Sequence, residues 1–122
     1  NKIIICFYLT KDIENRVTDV FEFENLIVKI VSPEDIILLK CATERAGDRI
    51  DALELIKKFN IDWDIIIKES IEQTKLGESI FPVFLYDFLL ELKEDLKAEI
   101  PSNVLKELLK ISEKELAKRL KK

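Results

Sequence analysis

Four charged side chains lie close together in one helical stretch of the sequence: Lys40, Arg45, Asp48 and Asp51. Two cations beside two carboxylates could hold a nucleoside triphosphate and its magnesium ion, with the cations on phosphate and the carboxylates orienting them. The same groups could equally form a closed set of salt bridges that fixes the angle between two helices. For Lys40 alone, the structural alternative is a side chain lying along the apolar helix face and pairing with Glu44.

Two helices that meet near Gly47 must position these groups. The segment SPED signals the start of the first helix, because Ser32 caps it, Pro33 occupies the first helical position and Asp35 is placed for the reciprocal capping bond. Gly47 provides a stop, and a second helix follows over about 48–59. The four charged side chains are therefore expected to converge at the bend.

The rest of the chain predicts strands before these helices and further helices after them. Runs typical of strands occur at 3–9, 20–24 and 26–31, and the last two form a hairpin or neighbouring strands. Helices are expected over about 60–75 and 79–96, with a short helix from Ser102 and a final helix opening at 112. The fold class is α+β, with two or three N-terminal strands followed by five or six helices.

Composition excludes several classes of function. The net charge of −4 argues against binding to a nucleic-acid backbone or docking on an anionic membrane. The absence of histidine excludes Ser-His-Asp and Cys-His nucleophile systems and histidine-ligated zinc. No run is long and apolar enough to span a bilayer, and Cys6 and Cys41 look like core thiols of a cytoplasmic protein. Abundant Lys and Glu indicate a thermophile, although AT-rich coding produces a similar bias.

The segments SPEDIILLKCATERAGDRIDALELI and IDWDIIIKESIEQ resemble the C-terminal half of archaeal nucleotidyltransferase-fold proteins, which are similar to the nucleotidyltransferase-type toxins of abortive-infection systems. The resemblance covers residues 3–76 and implies a partial nucleotidyltransferase-like domain over 1–76 with a helical tail over 77–122. It also implies that a longer parent protein transfers a nucleotidyl group from a nucleoside triphosphate to RNA or protein. Lys40 and Arg45 would then bind phosphates, and Asp48 and Asp51 would orient those cations or assist at the acceptor side.

The chain departs from the family where the chemistry would be done. The family's glycine-rich turn and metal-binding carboxylates have no counterpart, since Gly47 and Gly77 are the only glycines and the acids Asp62 and Asp64 open a helix. The chain begins at Asn1 rather than methionine, so we expect it to be part of a longer protein. We expect no catalytic residue, metal site or cofactor in this chain, with magnesium and nucleotide belonging to the parent.

A non-catalytic reading competes with this one. The apolar segment FPVFLYDFLLEL within 80–96 could be the surface of an antitoxin-like or scaffold module that binds a partner protein or a second copy of the chain. A purely structural domain without a ligand is a third alternative. We therefore expect exposed apolar surface on this helix if the interaction hypothesis is right.

Overall fold

A computed structural model describes residues 7–43 and 47–120 of the chain. Over these residues a short helix and a two-stranded antiparallel sheet precede five longer helices. The elements are α1 (Lys11–Asn15), β1 (Asp19–Phe23), β2 (Leu26–Ile30), α2 (Pro33–Thr43), α3 (Asp48–Lys58), α4 (Trp63–Lys75), α5 (Phe81–Asp95) and α6 (Ser102–Leu120). This confirms the predicted α+β class, with N-terminal strands followed by a helical body.

The SPED segment starts α2 as predicted, but the Asp35 side chain does not make the expected reciprocal capping bond. The hydroxyl of Ser32 accepts a hydrogen bond from the backbone N–H of Asp35 at 3.2 Å, which caps the helix. The same hydroxyl donates to the Asp35 carboxylate at 2.6 Å. Both side chains are buried. The Asp35 carboxylate is thus turned towards other side chains, as described below.

Two predictions about secondary structure are wrong within the described residues. Residues 7–9 form no strand, because the side chain of Gln73 bonds both backbone groups of Tyr8 that a neighbouring strand would have used. The remainder of that predicted strand, residues 3–6, lies outside the described residues. The helix expected to open at 112 is the continuation of α6, where the Ser112 hydroxyl donates to the carbonyl of Leu108 rather than capping a new helix.

The core forms around α5, which packs against α2, α3, α4 and α6. Its inward residues include Phe81, Leu85, Leu89 and Leu92, all with no exposed surface. Cys41 of α2 is buried in the same core, as predicted, while Cys6 lies outside the described residues. None of the described helices combines the length and apolar character needed to cross a membrane.

The two strands pair in register, with Phe21 opposite Val28 and Phe23 opposite Leu26. The turn between them places Glu24 in the left-handed region at a φ of 41°. At the open end, the backbone N–H of Thr18 donates to the carbonyl of Ile30 at 2.8 Å. In the described part of the chain, the strands pack closely only on each other. No residue of either strand belongs to the buried core of the described residues.

Candidate functional site

Three of the four predicted site residues lie together at the junction of α2 and α3. The Lys40 ammonium lies 2.9 Å from an Asp51 carboxylate oxygen and 3.3 Å from Asp48. The Thr43 hydroxyl donates to the other oxygen of Asp48 at 2.7 Å. Arg45, the fourth predicted member, lies outside the described residues. We call Lys40, Asp48 and Asp51 the Lys40 corner.

The backbone at this junction explains why the acids converge on the lysine. Lys40 is in the last turn of α2, and both acids are in the first turn of α3, where carboxylates complement the positive end of the helix dipole. Gly47 precedes α3 with a φ of 90°, which an L side chain adopts only with strain. The glycine thus lets the chain reverse and bring the two helix ends together.

The electrostatics of the Lys40 corner favour a closed salt bridge over an open phosphate site. The hydrogen bond to Asp51 raises the pKa of Lys40 most, followed by the bond to Asp48, while burial lowers it. Asp48 is almost fully buried, whereas the Asp51 side chain is 58% exposed. One ammonium shared by two carboxylates leaves these three groups with a net negative charge, which repels phosphate. Nucleotide binding at these residues stays a prediction.

A second charged cluster, which the sequence analysis missed, is more deeply buried. The Arg16 guanidinium bonds both oxygens of Asp35, at 2.7 and 2.9 Å, and reaches Glu69 at 2.7 Å. The two carboxylate side chains are each 1% exposed, and Arg16 is 22% exposed. The hydrogen bond to Asp35 is the largest cause of a raised pKa of Arg16. We call Arg16, Asp35 and Glu69 the Arg16 cluster.

The Arg16 cluster attaches the N-terminal segment to the helical body. Glu69 also accepts hydrogen bonds from Thr10 at 3.1 Å and from Gln73 at 3.3 Å, and Gln73 holds the backbone of Tyr8. Every buried polar group named here therefore has a partner, as a low-dielectric interior requires. One feature of the sequence could have indicated the Arg16 cluster: the polar residues Glu69 and Gln73 share the inward face of α4 with Ile66.

Metal ligation has no geometric basis in the residues described. Across 7–43 and 47–120, no three His, Cys, Asp or Glu side chains converge in a way that could hold a metal ion. The Asp-x-Asp pattern at 62–64 serves the start of α4, where the Asp62 carboxylate accepts from the backbone N–H of Asp64 at 3.1 Å. Asp19, at the start of β1, is exposed.

An exposed apolar surface lies on the hairpin. Directly paired residues of antiparallel strands point to the same side, so the register places five apolar side chains on one face: Phe21, Phe23, Leu26, Val28 and Ile30. Val28 is half-buried, and the other four are between 40% and 60% exposed. We call these five residues the hairpin face. Nothing in the sequence pattern alone separates it from a strand face that joins a core.

The helix over 80–96, which was one candidate for a partner surface, packs its apolar side within the fold. The apolar side chains of 80–96 that point inward, Phe81, Leu85 and Leu89 among them, are fully covered by other helices of this chain. The expected apolar surface is therefore used within the fold, and the exposed residues of α5 include the charged side chains Asp87 and Glu91.

Three features of the part of the chain that the structure describes could support a function: the Lys40 corner, the Arg16 cluster and the hairpin face. The first two are sets of mutually bonded charges, and the third is apolar and open to solvent. Comparison of the chain with protein-family models, with curated proteins and with solved structures finds no match.

Proposed function

We propose that this chain is a non-catalytic interaction module that binds a partner protein through the hairpin face. The observation that carries the proposal is the exposure of Phe21, Phe23, Leu26 and Ile30, which share one side of the sheet. Single exposed apolar residues are common on protein surfaces, but a contiguous group of aromatic and aliphatic side chains is typical of an interaction site.

The free energy of covering this surface is large enough to matter. With aromatic and aliphatic side chains of ordinary size, the hairpin face exposes on the order of 400 Å² of apolar area. At about 25 cal/mol per Å², removing it from water is worth roughly 10 kcal/mol before the entropy of association is subtracted. A two-stranded hairpin is also only marginally stable by itself in water. Binding would therefore stabilise the hairpin and remove its apolar side chains from water at the same time.

Site-specific photo-cross-linking in the native host tests the proposal. A benzophenone side chain replaces Phe23 in one variant and Phe59, which is 50% exposed on the helical body, in a matched control. We expect one adduct of defined mass from position 23 and none from position 59, and we expect Leu26→Ser to abolish it. Equal labelling from both positions, or no adduct from position 23, would contradict the proposal.

A second candidate, nucleotide binding at the Lys40 corner, is the function that the resemblance implies, although the net negative charge of Lys40, Asp48 and Asp51 disfavours phosphate there. Nucleotidyl transfer would then be the reaction of a longer parent protein, as the resemblance implies. The test is calorimetric titration of this chain with magnesium ATP. This candidate predicts that the chain binds magnesium ATP and that Lys40→Met weakens the binding. If the unmodified, folded chain releases no heat of binding, the candidate is excluded.

A further inference from the structure

We infer that the partner segment is an amphipathic helix whose apolar stripe is flanked by basic residues and lies along the hairpin face. The inference rests on the proposed function and adds to it the chemistry of the partner. Its grounds are the distribution of charge around the hairpin and the dimensions of the exposed face.

The hairpin face is bordered by acids. Asp19 lies on this face at its open end, opposite Ile30, and Glu24 lies in the turn at its other end. The opposite side of the sheet carries Glu22, Lys29, which is the single cation of the hairpin, and two exposed apolar residues, Val20 and Ile27. Within the described part of the chain, Asp19, Glu22 and Glu24 form no ion pair with a Lys or Arg side chain.

Residues 19–30 hold three carboxylates and one ammonium, which gives a net charge of −2. The acids at both ends of the hairpin face favour a partner with Lys or Arg at both ends of its apolar stripe. They disfavour nucleic acid and anionic lipid, because both would bring phosphate towards unpaired carboxylates. The chain as a whole is also acidic, with a net charge of −4. A basic protein segment is therefore the complementary occupant.

The dimensions of the face fit one helix. Each strand has five residues, so the face is about 17 Å long, which is the length of about 11 residues of α-helix. Two neighbouring strands form a surface that one helix about 10 Å wide covers. A third strand would pair with the backbone at an edge of the hairpin, but it would leave Phe21 and Phe23 uncovered.

A second copy of the chain fits less well. Two hairpin faces packed against each other would bring their acids together, which adds like-charge repulsion. Self-association through this surface is therefore an alternative outcome of the experiment below.

Selection from two displayed peptide libraries tests the inference. One library places apolar residues at helical spacing over about 14 residues, and the other alternates them as in a strand, with Lys, Glu or Ser allowed at the flanking positions. The bait is the complete chain, and clones that also bind the Phe21→Ser/Leu26→Ser variant are discarded. Circular dichroism first establishes that this variant keeps the helical content of the unmodified chain.

We expect the retained clones to come from the helical library and to carry Lys at the flanks. A synthetic peptide from this set should bind the Asp19→Lys/Glu24→Lys variant about 10-fold more weakly than the unmodified chain at physiological salt. Glu22→Lys, on the opposite side of the sheet, is the control and makes half this change in charge. A charge effect that did not depend on position would weaken binding about 3-fold, whereas we expect less than about 2-fold. Exchanging Lys for Glu in the peptide gives the same comparison without altering the chain.

Several results would overturn the inference. Enrichment of acidic or neutral flanks, or of the strand-like library, would do so. A loss of affinity of about 3-fold or more for Glu22→Lys would do so too. So would concentration-dependent dimerisation through Phe21 in light scattering. Failure to recover any clone that depends on the hairpin would overturn it too. The proposed function would still be decided separately by cross-linking at position 23, because that experiment makes no assumption about the partner's chemistry.

Discussion

The helix α5 and the β-hairpin are both rich in large apolar residues, yet the fold treats them in opposite ways. Phe81 and Leu85 of α5 have no exposed surface, whereas Phe21 and Phe23 of the hairpin are 49% and 58% exposed. The difference lies in their neighbours, because four helices surround α5 and none packs closely along the described strands. Apolar character thus identifies candidate contact surfaces, and only the packing shows which of them remain open.

The two charged clusters differ in the same respect. Each is built from one cation and two carboxylates, but both acids of the Arg16 cluster are 1% exposed, whereas Asp51 of the Lys40 corner is 58% exposed. Desolvated charges depend on their partners, since water cannot replace a lost bond. Exposed ion pairs contribute little, because solvent screens them. The Arg16 cluster should therefore respond more strongly to substitution.

The largest change in stability is expected for a substitution in α5, which is compared with the matching substitution in the hairpin. Phe81→Ala should lower the free energy of unfolding by about 3–5 kcal/mol, because it removes a fully buried ring and leaves a cavity. Phe23→Ala, the matched change in the hairpin, should lower it by less than about 1 kcal/mol. Urea unfolding followed by circular dichroism measures both. Equal losses would show that the hairpin is part of the core.

Removing the cation of the Arg16 cluster should have the next largest effect. Arg16→Met leaves Asp35 and Glu69 buried without a counter-charge, and we expect a loss of about 2–4 kcal/mol in unfolding free energy. Lys75→Met provides the control, because it breaks an exposed pair with Glu72 and should change stability by less than about 0.5 kcal/mol. Similar losses for the two variants would contradict the role assigned to the buried cluster.

The two acids of the Lys40 corner should differ in their contribution to stability, because one is buried and the other is exposed. Asp48→Ala removes a buried acceptor from Thr43 and Lys40, and should cost about 1–2 kcal/mol of unfolding free energy. Asp51→Ala removes the more exposed acid and should cost less than about 0.5 kcal/mol. Denaturant unfolding distinguishes these outcomes. A larger loss for Asp51 than for Asp48 would reverse the assignment.

The smallest effect is the pH dependence of the Lys40 corner. The pKa of Lys40 is raised above its ordinary value of 10.5, so its contribution to stability is complete below that pH and is lost as pH rises through the folded-state pKa. Unfolding of the chain and of Lys40→Met should therefore differ by a constant amount near neutral pH and converge at strongly alkaline pH. A difference that grows with rising pH would contradict this sign.

The sequence was most informative where interacting residues are close along the chain. Lys40, Asp48 and Asp51 are separated by one helix junction, so helix starts and stops were sufficient to predict that they meet. The α+β class followed in the same way from the order of strand and helix signals. The spacing of these residues could not show that Lys40 would form salt bridges with both acids, because that depends on side-chain geometry.

Long-range contacts account for what was missed. Arg16 meets residues 19 and 53 positions later, and no local pattern records that pairing. Asp35 carries a capping signal that conceals its second role as a partner of Arg16. The exposure of the hairpin was likewise invisible, because an apolar strand reads the same whether or not another element covers it.

Hydroxyl-radical footprinting of the isolated chain at low concentration tests the central claim, that the hairpin face is open to solvent, most directly. Five phenylalanines provide an internal scale: Phe21, Phe23, Phe59, Phe81 and Phe88. We predict that the two hairpin rings react at rates close to that of Phe59, which is 50% exposed, and much faster than Phe81 and Phe88, at 0% and 5%. Hairpin rings as protected as Phe81 would contradict the account.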